Sequence, residues 1–222
     1  MELLDLHKRM LRLFEGKKMK RININTQQTH FIGCWNLENN KLCNEITNFF
    51  ENNKNLQKQG VIGSGKNLKA KSRIDIKVSP NDLKKPKFEI LKQYVNGLHK
   101  CFLDYQNQWP FLKSMLKTVN VPSFNIQKYS RGDHFASLHS ERTSLESLHR
   151  LFAWMTYLKD VDDGGQTSFS HYGIKIKPEI GKTLIWPAEW THAHTGEVLK
   201  SGTKYIVTGW IHFPSSKIQI QK

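Results

Sequence analysis

Arg150-Leu-Phe-Ala-Trp-Met-Thr-Tyr-Leu-Lys159, followed by Asp162-Asp163-Gly164-Gly165 and then Gln166-Thr-Ser-Phe169, reads as a strand, a tight turn and a second strand. Asp and Gly close such runs because Asp hydrogen-bonds nearby backbone and Gly accepts positive φ. The same texture extends outward to Ser123–Ser130, Phe135–Ser140, Ile174–Lys177, Thr183–Trp186 and Tyr205–Phe213, with Glu179-Ile180-Gly181 as a further turn. Before Val119 the period changes. Phe88, Leu91, Tyr94, Val95, Leu98, Phe102 and Tyr105 recur every three or four residues, which predicts a long helix opening after Ser79-Pro80. Leu37 to Asn52 predicts a second helix burying Leu42, Ile46, Phe49 and Phe50, and Thr29 to Trp35 predicts a strand. Helices first and many short strands afterwards predict an α+β, mainly β fold: a double-stranded β-helix (jelly roll) braced by N-terminal helices.

The 222 residues suit one domain over 29–222, with the jelly roll at about 119–214, after a basic extension over 1–28. In that extension Leu3, Leu6, Met10, Leu11 and Phe14 fall at helical spacing, so it is expected to be helical or frayed. Gly60 to Ser72, rich in Gly, Lys and Asn, reads as a mobile loop. Its Gly63-Ser64-Gly65-Lys66 lacks the spacing and strand-to-helix context of a phosphate loop.

Hydrophobic residues make up 38% and aromatics 11%, a globular balance that excludes wholesale disorder. No apolar run is long enough for a membrane span and no secretory signal is evident, so the expected compartment is cytoplasmic. Cys34, Cys43 and Cys101 form no Cys-x-x-Cys pair, which argues against a disulfide framework or a structural zinc site. The net charge of +15 is concentrated early: residues 1–120 hold 22 Lys/Arg against 10 Asp/Glu, and residues 121–222 hold 12 against 9. Such a field attracts nucleic acid or an acidic partner, although scattered lysines also serve plain solubility.

His139 and Glu141 are two apart at a strand end, so their side chains share a face. His194 comes more than fifty residues later, in a region that a rolled sheet can fold back over the pair. Two imidazoles and a carboxylate can occupy one face of an octahedral Fe(II) and leave the other positions open. A catalytic zinc accepts the same trio, whereas Mg and Ca favour more oxygen ligands. His192 competes with His194 because residues two apart on a strand point the same way. His134, His149, His171 and His212 read as ordinary strand or loop residues.

Four blocks in order carry a resemblance: Tyr129-Ser-Arg-Gly132-Asp-His-Phe-Ala-Ser-Leu-His139-Ser-Glu141; Leu158-Lys-Asp-Val-Asp-Asp-Gly164-Gly165-Gln-Thr167-Ser-Phe169; Lys177-Pro178-x-x-Gly181; and His194-x-Gly196-x-Val198-x-x-x-Gly202-x-Lys204-Tyr205. Together they resemble the catalytic domain of the 2-oxoglutarate and Fe(II)-dependent dioxygenases, prolyl 4-hydroxylase-like branch. Lys71-Ser72 to Asp75 is similar to that branch's upstream strand. The resemblance implies that His139, Glu141 and His194 bind iron and decides for His194 over His192, through its spacing to Gly196, Gly202 and Lys204. It implies that Lys204 pairs with the far carboxylate of 2-oxoglutarate, with Tyr129 bonding the same carboxylate and Thr208, on the Lys204 face, adding a hydroxyl. His192 would then support the site from behind the ligands or lie at the surface. Trp186, Trp190, Trp210 and Tyr205 are candidates for the pocket wall or for core packing.

The implied activity is hydroxylation of a C–H bond, a peptidyl proline being the first candidate, with 2-oxoglutarate and O2 as co-substrates, succinate and CO2 as products, and ascorbate as a candidate reductant. A peptide or protein substrate is implied. Other side chains, small molecules and nucleic-acid bases stay open, as do a non-catalytic nucleic-acid-binding jelly roll and a zinc hydrolase. The chain departs from the family's usual His-x-Asp in having His-x-Glu, which moves the carboxylate by one methylene and puts the metal's position in doubt.

Overall fold

The computed structural model describes residues 19–24, 29–60 and 73–214. The helix expected over 3–14 lies outside them, as does all but Gly60 of the loop expected over 60–72. The strands, in chain order, are β1 Lys20–Arg21, β2 Gly33–Asn36, β3 Lys58–Gln59, β4 Ile74–Val78, β5 Phe124–Tyr129, β6 Phe135–His139, β7 Arg150–Tyr157, β8 Thr167–Phe169, β9 Ile174–Ile176, β10 Lys182–Pro187, β11 His194–Gly196 and β12 Lys204–His212. The α-helices are α1 Asn40–Asn52, α2 Glu89–Gln108 and α3 Pro110–Met115.

Two antiparallel sheets face each other as a jelly roll. One has the strand order β1-β2-β10-β7-β12-β5-β4-β3 and the other β6-β11-β8-β9. Strand β7 sits near the middle of the larger sheet, and its parity creates the layers. Phe152 and Trp154 join the core shared with the helices, while Ala153, Met155 and Tyr157 join the core between the sheets. Both faces are covered, which is why residues 150–157 read as a continuous apolar run rather than an alternating one. Each large apolar side chain buried this way contributes about 1.5–3 kcal/mol.

The helices back the larger sheet. On α2, Leu91, Tyr94, Leu98, Cys101, Phe102 and Tyr105 are buried, and Tyr94 donates its hydroxyl to Thr156 Oγ1 at 2.7 Å. On α1, Leu42, Cys43, Ile46 and Phe50 are buried, and the Asn39 side chain caps the helix by accepting from the Leu42 N–H.

The element order follows the pattern read from the sequence, and the boundaries differ for local reasons. Strand β2 begins at Gly33 rather than Thr29, after Phe31 takes a positive φ of 52°. Helix α1 begins at Asn40 rather than Leu37, because Glu38 at φ 48° and the Asn39 cap set its start. After Ser79-Pro80 the chain forms two short 3-10 turns, Asp82–Lys84 and Pro86–Phe88, before α2 opens at Glu89. Asp82 accounts for the first turn: its carboxylate accepts from both the N–H and the hydroxyl of Ser79. Within the stretch expected to be an extension, Lys20–Arg21 pairs with β2 at the edge of the larger sheet.

Candidate metal centre

Strands β6 and β11 pair so that His139 lies directly opposite His194. Glu141 follows just past β6, where its N–H and that of Arg142 both donate to the Ala188 carbonyl, at 3.2 and 3.0 Å. This anchors the turn and aims the carboxylate inward. Glu141 Oε1 lies 3.4 Å from His194 Nε2 and 3.8 Å from His139 Nε2, and the three donor atoms all fall within 4.8 Å of one another. Ligand bonds of about 2.1 Å at right angles place donor atoms roughly 3 Å apart, so small rotamer adjustments close the trio around one ion.

The tautomers suit ligation. His139 Nδ1 contacts the Ser137 carbonyl at 2.8 Å, and His194 Nδ1 contacts the His192 carbonyl at 2.9 Å. A carbonyl only accepts, so each Nδ1 carries a proton and each Nε2, which faces Glu141, is the atom a metal would take. Burial pushes the Glu141 carboxyl upward, yet in the metal-free site a protonated His194, through its hydrogen bond and charge, the charge of a protonated His139 and the indole N–H of Trp210 overcome it and bring the group down to about 2; a bound cation takes the place of the two imidazolium charges. Two neutral imidazoles and an ionised carboxylate fit a divalent transition metal.

The ligands open onto a cavity of about 700 Å³ between the sheets. Lys204 also lines it. The Lys204 side chain is buried, with the residue 3% exposed, and its Nζ donates to the Gly165 carbonyl at 2.9 Å. That carbonyl is delivered by the turn at Gly164 and Gly165, both at positive φ. Among the described residues no carboxylate pairs with Lys204, and burial together with the nearby Arg73 charge pulls its ammonium down to about 8.

Tyr129 is the register partner of Lys204, and its ring lies 4.4 Å beneath Nζ. The Tyr129 hydroxyl receives a hydrogen bond from Arg73 Nη1 at 3.3 Å. With the Gln127 amide turned so that both its ends are satisfied, its nitrogen donates to the same hydroxyl at 2.9 Å and its oxygen accepts from Arg73. Two donors on one phenol leave its own proton for an acceptor in the cavity. Arg73 is neutralised by Asp75 through two bonds of 2.6 and 2.9 Å.

Other expected residues fall differently. Thr208 lines the cavity, but its hydroxyl donates to the Trp154 carbonyl at 2.8 Å, so it has no proton left for a carboxylate. His192 is buried rather than at the surface. Its ring bonds the His30 carbonyl at 2.8 Å, and its own carbonyl orients His194. Trp186 and Trp210 wall the cavity, whereas Trp190 is 69% exposed and Tyr205 faces α1, donating its hydroxyl to Glu51 at 2.7 Å.

Arg73, Asp75, Gln127 and Arg150 are cavity residues that the sequence reading missed. Their one sequence signal was parity: Arg73 with Asp75, and Gln127 with Tyr129, are two apart and share a face.

Residues 124–212 match the model of the 2OG-Fe(II) oxygenase superfamily. Over that stretch the sequence is similar to 2OG-Fe(II) oxygenases, and the fold is like that of solved prolyl hydroxylases. A probable prolyl 4-hydroxylase of Arabidopsis thaliana is 24% identical over 135 residues, covering 49% of this chain and 47% of that protein. The chain thus spans about half of that relative's length. Among solved structures, the 2OG complex of a viral collagen prolyl hydroxylase from Paramecium Bursaria Chlorella virus-1 superposes with a TM-score of 0.58 at 18% identity, covering 90% of this chain and 98% of that one. A Trichoplax adhaerens prolyl hydroxylase, solved with a hypoxia inducible factor peptide fragment, gives 0.60 at 13% identity, covering 95% and 92%.

Proposed function

We propose that the chain is an Fe(II)- and 2-oxoglutarate-dependent dioxygenase that hydroxylates a C–H bond of a peptide or protein substrate, a prolyl residue being the first candidate. The observation that carries this reading is the buried Lys204 ammonium, without a carboxylate partner among the described residues, in the same cavity as His139, Glu141 and His194. A buried charge without a counter-ion is costly, and a small dicarboxylate bridging metal and cation removes that cost.

His139, Glu141 and His194 would hold the iron. When bound, the metal and 2-oxoglutarate supply the oxidative chemistry, with O2 consumed and succinate and CO2 released. Lys204 and the free proton of Tyr129 hold the far carboxylate and set the co-substrate's register. Met155, Trp186 and Ile206 line the cavity with apolar surface that keeps water away from the reacting atoms.

The peptide assignment draws on two kinds of support. The similar proteins are prolyl hydroxylases, one of them solved with a peptide. In addition, Leu145 and Leu148 are exposed on the 141–149 turn, whose Thr143, Ser144, Glu146 and Ser147 line the cavity. Ascorbate as reductant and a cytoplasmic setting belong to the same proposal, the second resting on three buried, unpaired cysteines.

The test is incubation with Fe(II), ascorbate, O2 and 2-oxoglutarate, measuring succinate and screening proline-containing peptides by mass for an added oxygen. Succinate release that vanishes in His139→Ala is expected. Turnover that persists without 2-oxoglutarate and O2 would instead indicate a zinc hydrolase.

A further inference from the structure

A glutamate is a loose metal ligand unless something fixes it. Its three side-chain torsions cost up to about 2 kcal/mol to order, and its two oxygens offer one-oxygen or two-oxygen ligation. In this chain the second oxygen is already taken. Glu141 Oε2 accepts from Trp210 Nε1 at 2.7 Å, while Oε1 is the oxygen that faces His139 and His194.

The indole is itself held. Trp210 lies on β12, paired with Ala153 of β7 in the larger sheet. The Arg150 guanidinium sits 3.9 Å from the centroid of its ring, a stacking that fixes the ring plane. Arg150 also donates Nη1 to the Glu141 backbone carbonyl at 2.8 Å. The Arg150 carbonyl in turn receives Nε of Arg142 at 2.9 Å and also its Nη2. Arg150 and Trp210 therefore grip Glu141 at both its main chain and its carboxylate. This support comes from the opposite sheet to the one that carries the two histidines, so it couples the third ligand to an independently rigid element.

We infer that Trp210 is the positioning residue that makes Glu141 a one-oxygen metal ligand, with Arg150 holding the indole in place. The grip accommodates the extra methylene of Glu relative to Asp: an aspartate at 141 would stop short of the indole. This inference rests on the metal reading of the trio.

The probe is Co(II), titrated into the full chain without co-substrate, with affinity read by calorimetry and geometry by the visible spectrum. Trp210→Phe keeps an aromatic ring for Arg150 and removes the pyrrole ring with its N–H. It is expected to weaken Co(II) binding about tenfold, at the lower end of what outer hydrogen-bond partners contribute, and to shift the visible band. In Glu141→Asp the same Trp210→Phe change is expected to cost little, because no carboxylate reaches position 210. Arg150→Gln, which frees the indole and also removes the bond to the Glu141 carbonyl and the 3.9 Å ion pair with Oε2, is expected to move affinity in the same direction, and it serves as the second variant, for the grip as a whole, should Trp210→Phe fold poorly. Unchanged Co(II) affinity and spectrum in a folded Trp210→Phe overturns the inference alone, as does an equal loss in the Glu141→Asp background. A wild-type chain that takes up no Co(II) overturns the metal reading and the inference with it.

Discussion

Replacing Lys204 with Ala separates the two ends of the cavity. The ammonium is buried, spends one of its three N–H groups on Gly165 and lies above the Tyr129 ring. A carboxylate arriving there makes hydrogen bonds to a charged donor, each contributing about 1.5–3 kcal/mol, and gains a Coulomb term of about 4 kcal/mol at 4 Å and an effective dielectric of 20. Desolvating the anion offsets part of this. A net loss of about 3 kcal/mol on deletion corresponds to roughly 150-fold weaker 2-oxoglutarate binding. Metal affinity is expected to stay within about twofold of wild type, since Lys204 touches none of the three ligands and a contact that is absent contributes nothing to metal binding. Anaerobic calorimetry, with Mn(II) titrated first and 2-oxoglutarate second, reads both quantities on one sample. A parallel fall in metal affinity, or unchanged co-substrate affinity, would refute the assignment of Lys204.

Three further outcomes follow from the same corner of the cavity. With the Lys204 ammonium brought down to about 8 by burial and the Arg73 charge, 2-oxoglutarate affinity should be flat below pH 7 and fall by about tenfold per unit once pH exceeds 8; Lys204→Arg should flatten that profile, because a guanidinium stays charged. The sign for stability is the reverse: a folded-state value depressed from 10.5 means stability rises as pH climbs from about 8 to 10.5, so Lys204→Met should melt higher than wild type at pH 7 while failing to bind co-substrate. Tyr129→Phe removes the proton left over by Arg73 and Gln127, and calorimetry should show at least about tenfold weaker 2-oxoglutarate binding, the lower end for a hydrogen bond to a charged group, with metal affinity intact.

Strand parity made much of this site legible. Once Lys204 is assigned to the cavity, Ile206, Thr208 and Trp210 share its face and Tyr205 does not, so the opposite orientation of Tyr205 was implicit in the spacing. His139 and His194 were recognisable because ligand type and spacing are local properties. Arg73 was not, since its place depends on β4 lying beside β5 in the larger sheet, a non-local pairing. Which of the two places open to His192 it would take was not legible for a similar reason: its ring is captured by the carbonyl of His30, 162 residues away. The boundary shifts at β2 and α1 arise from Phe31 and Glu38, whose positive φ no propensity anticipates.

The two ends of the cavity are set by a single strand. Lys204 and Trp210 lie on one face of β12, and their positions depend on its register against β5 and β7. Gly209 lies between them, opposite Trp154 and on the other face. A Cβ there would meet Phe124 Cβ at 2.8 Å and Trp154 Cζ2 at 2.9 Å. Both neighbours are fully packed between sheet and helices, so β12 must yield rather than they. Overpacking of this kind costs about 1–3 kcal/mol and displaces the strand by some tenths of an ångström. Gly209→Ala is therefore expected to weaken metal and 2-oxoglutarate binding together, unlike Lys204→Ala, which affects the second alone. Gly209 lines the cavity with its main chain, but the added Cβ points away from it toward Phe124 and Trp154, so a joint loss in the same calorimetric experiment would trace both functions to the seating of one strand. A variant that loses stability but binds both ligands normally would mean that each end of the cavity is held by its own contacts.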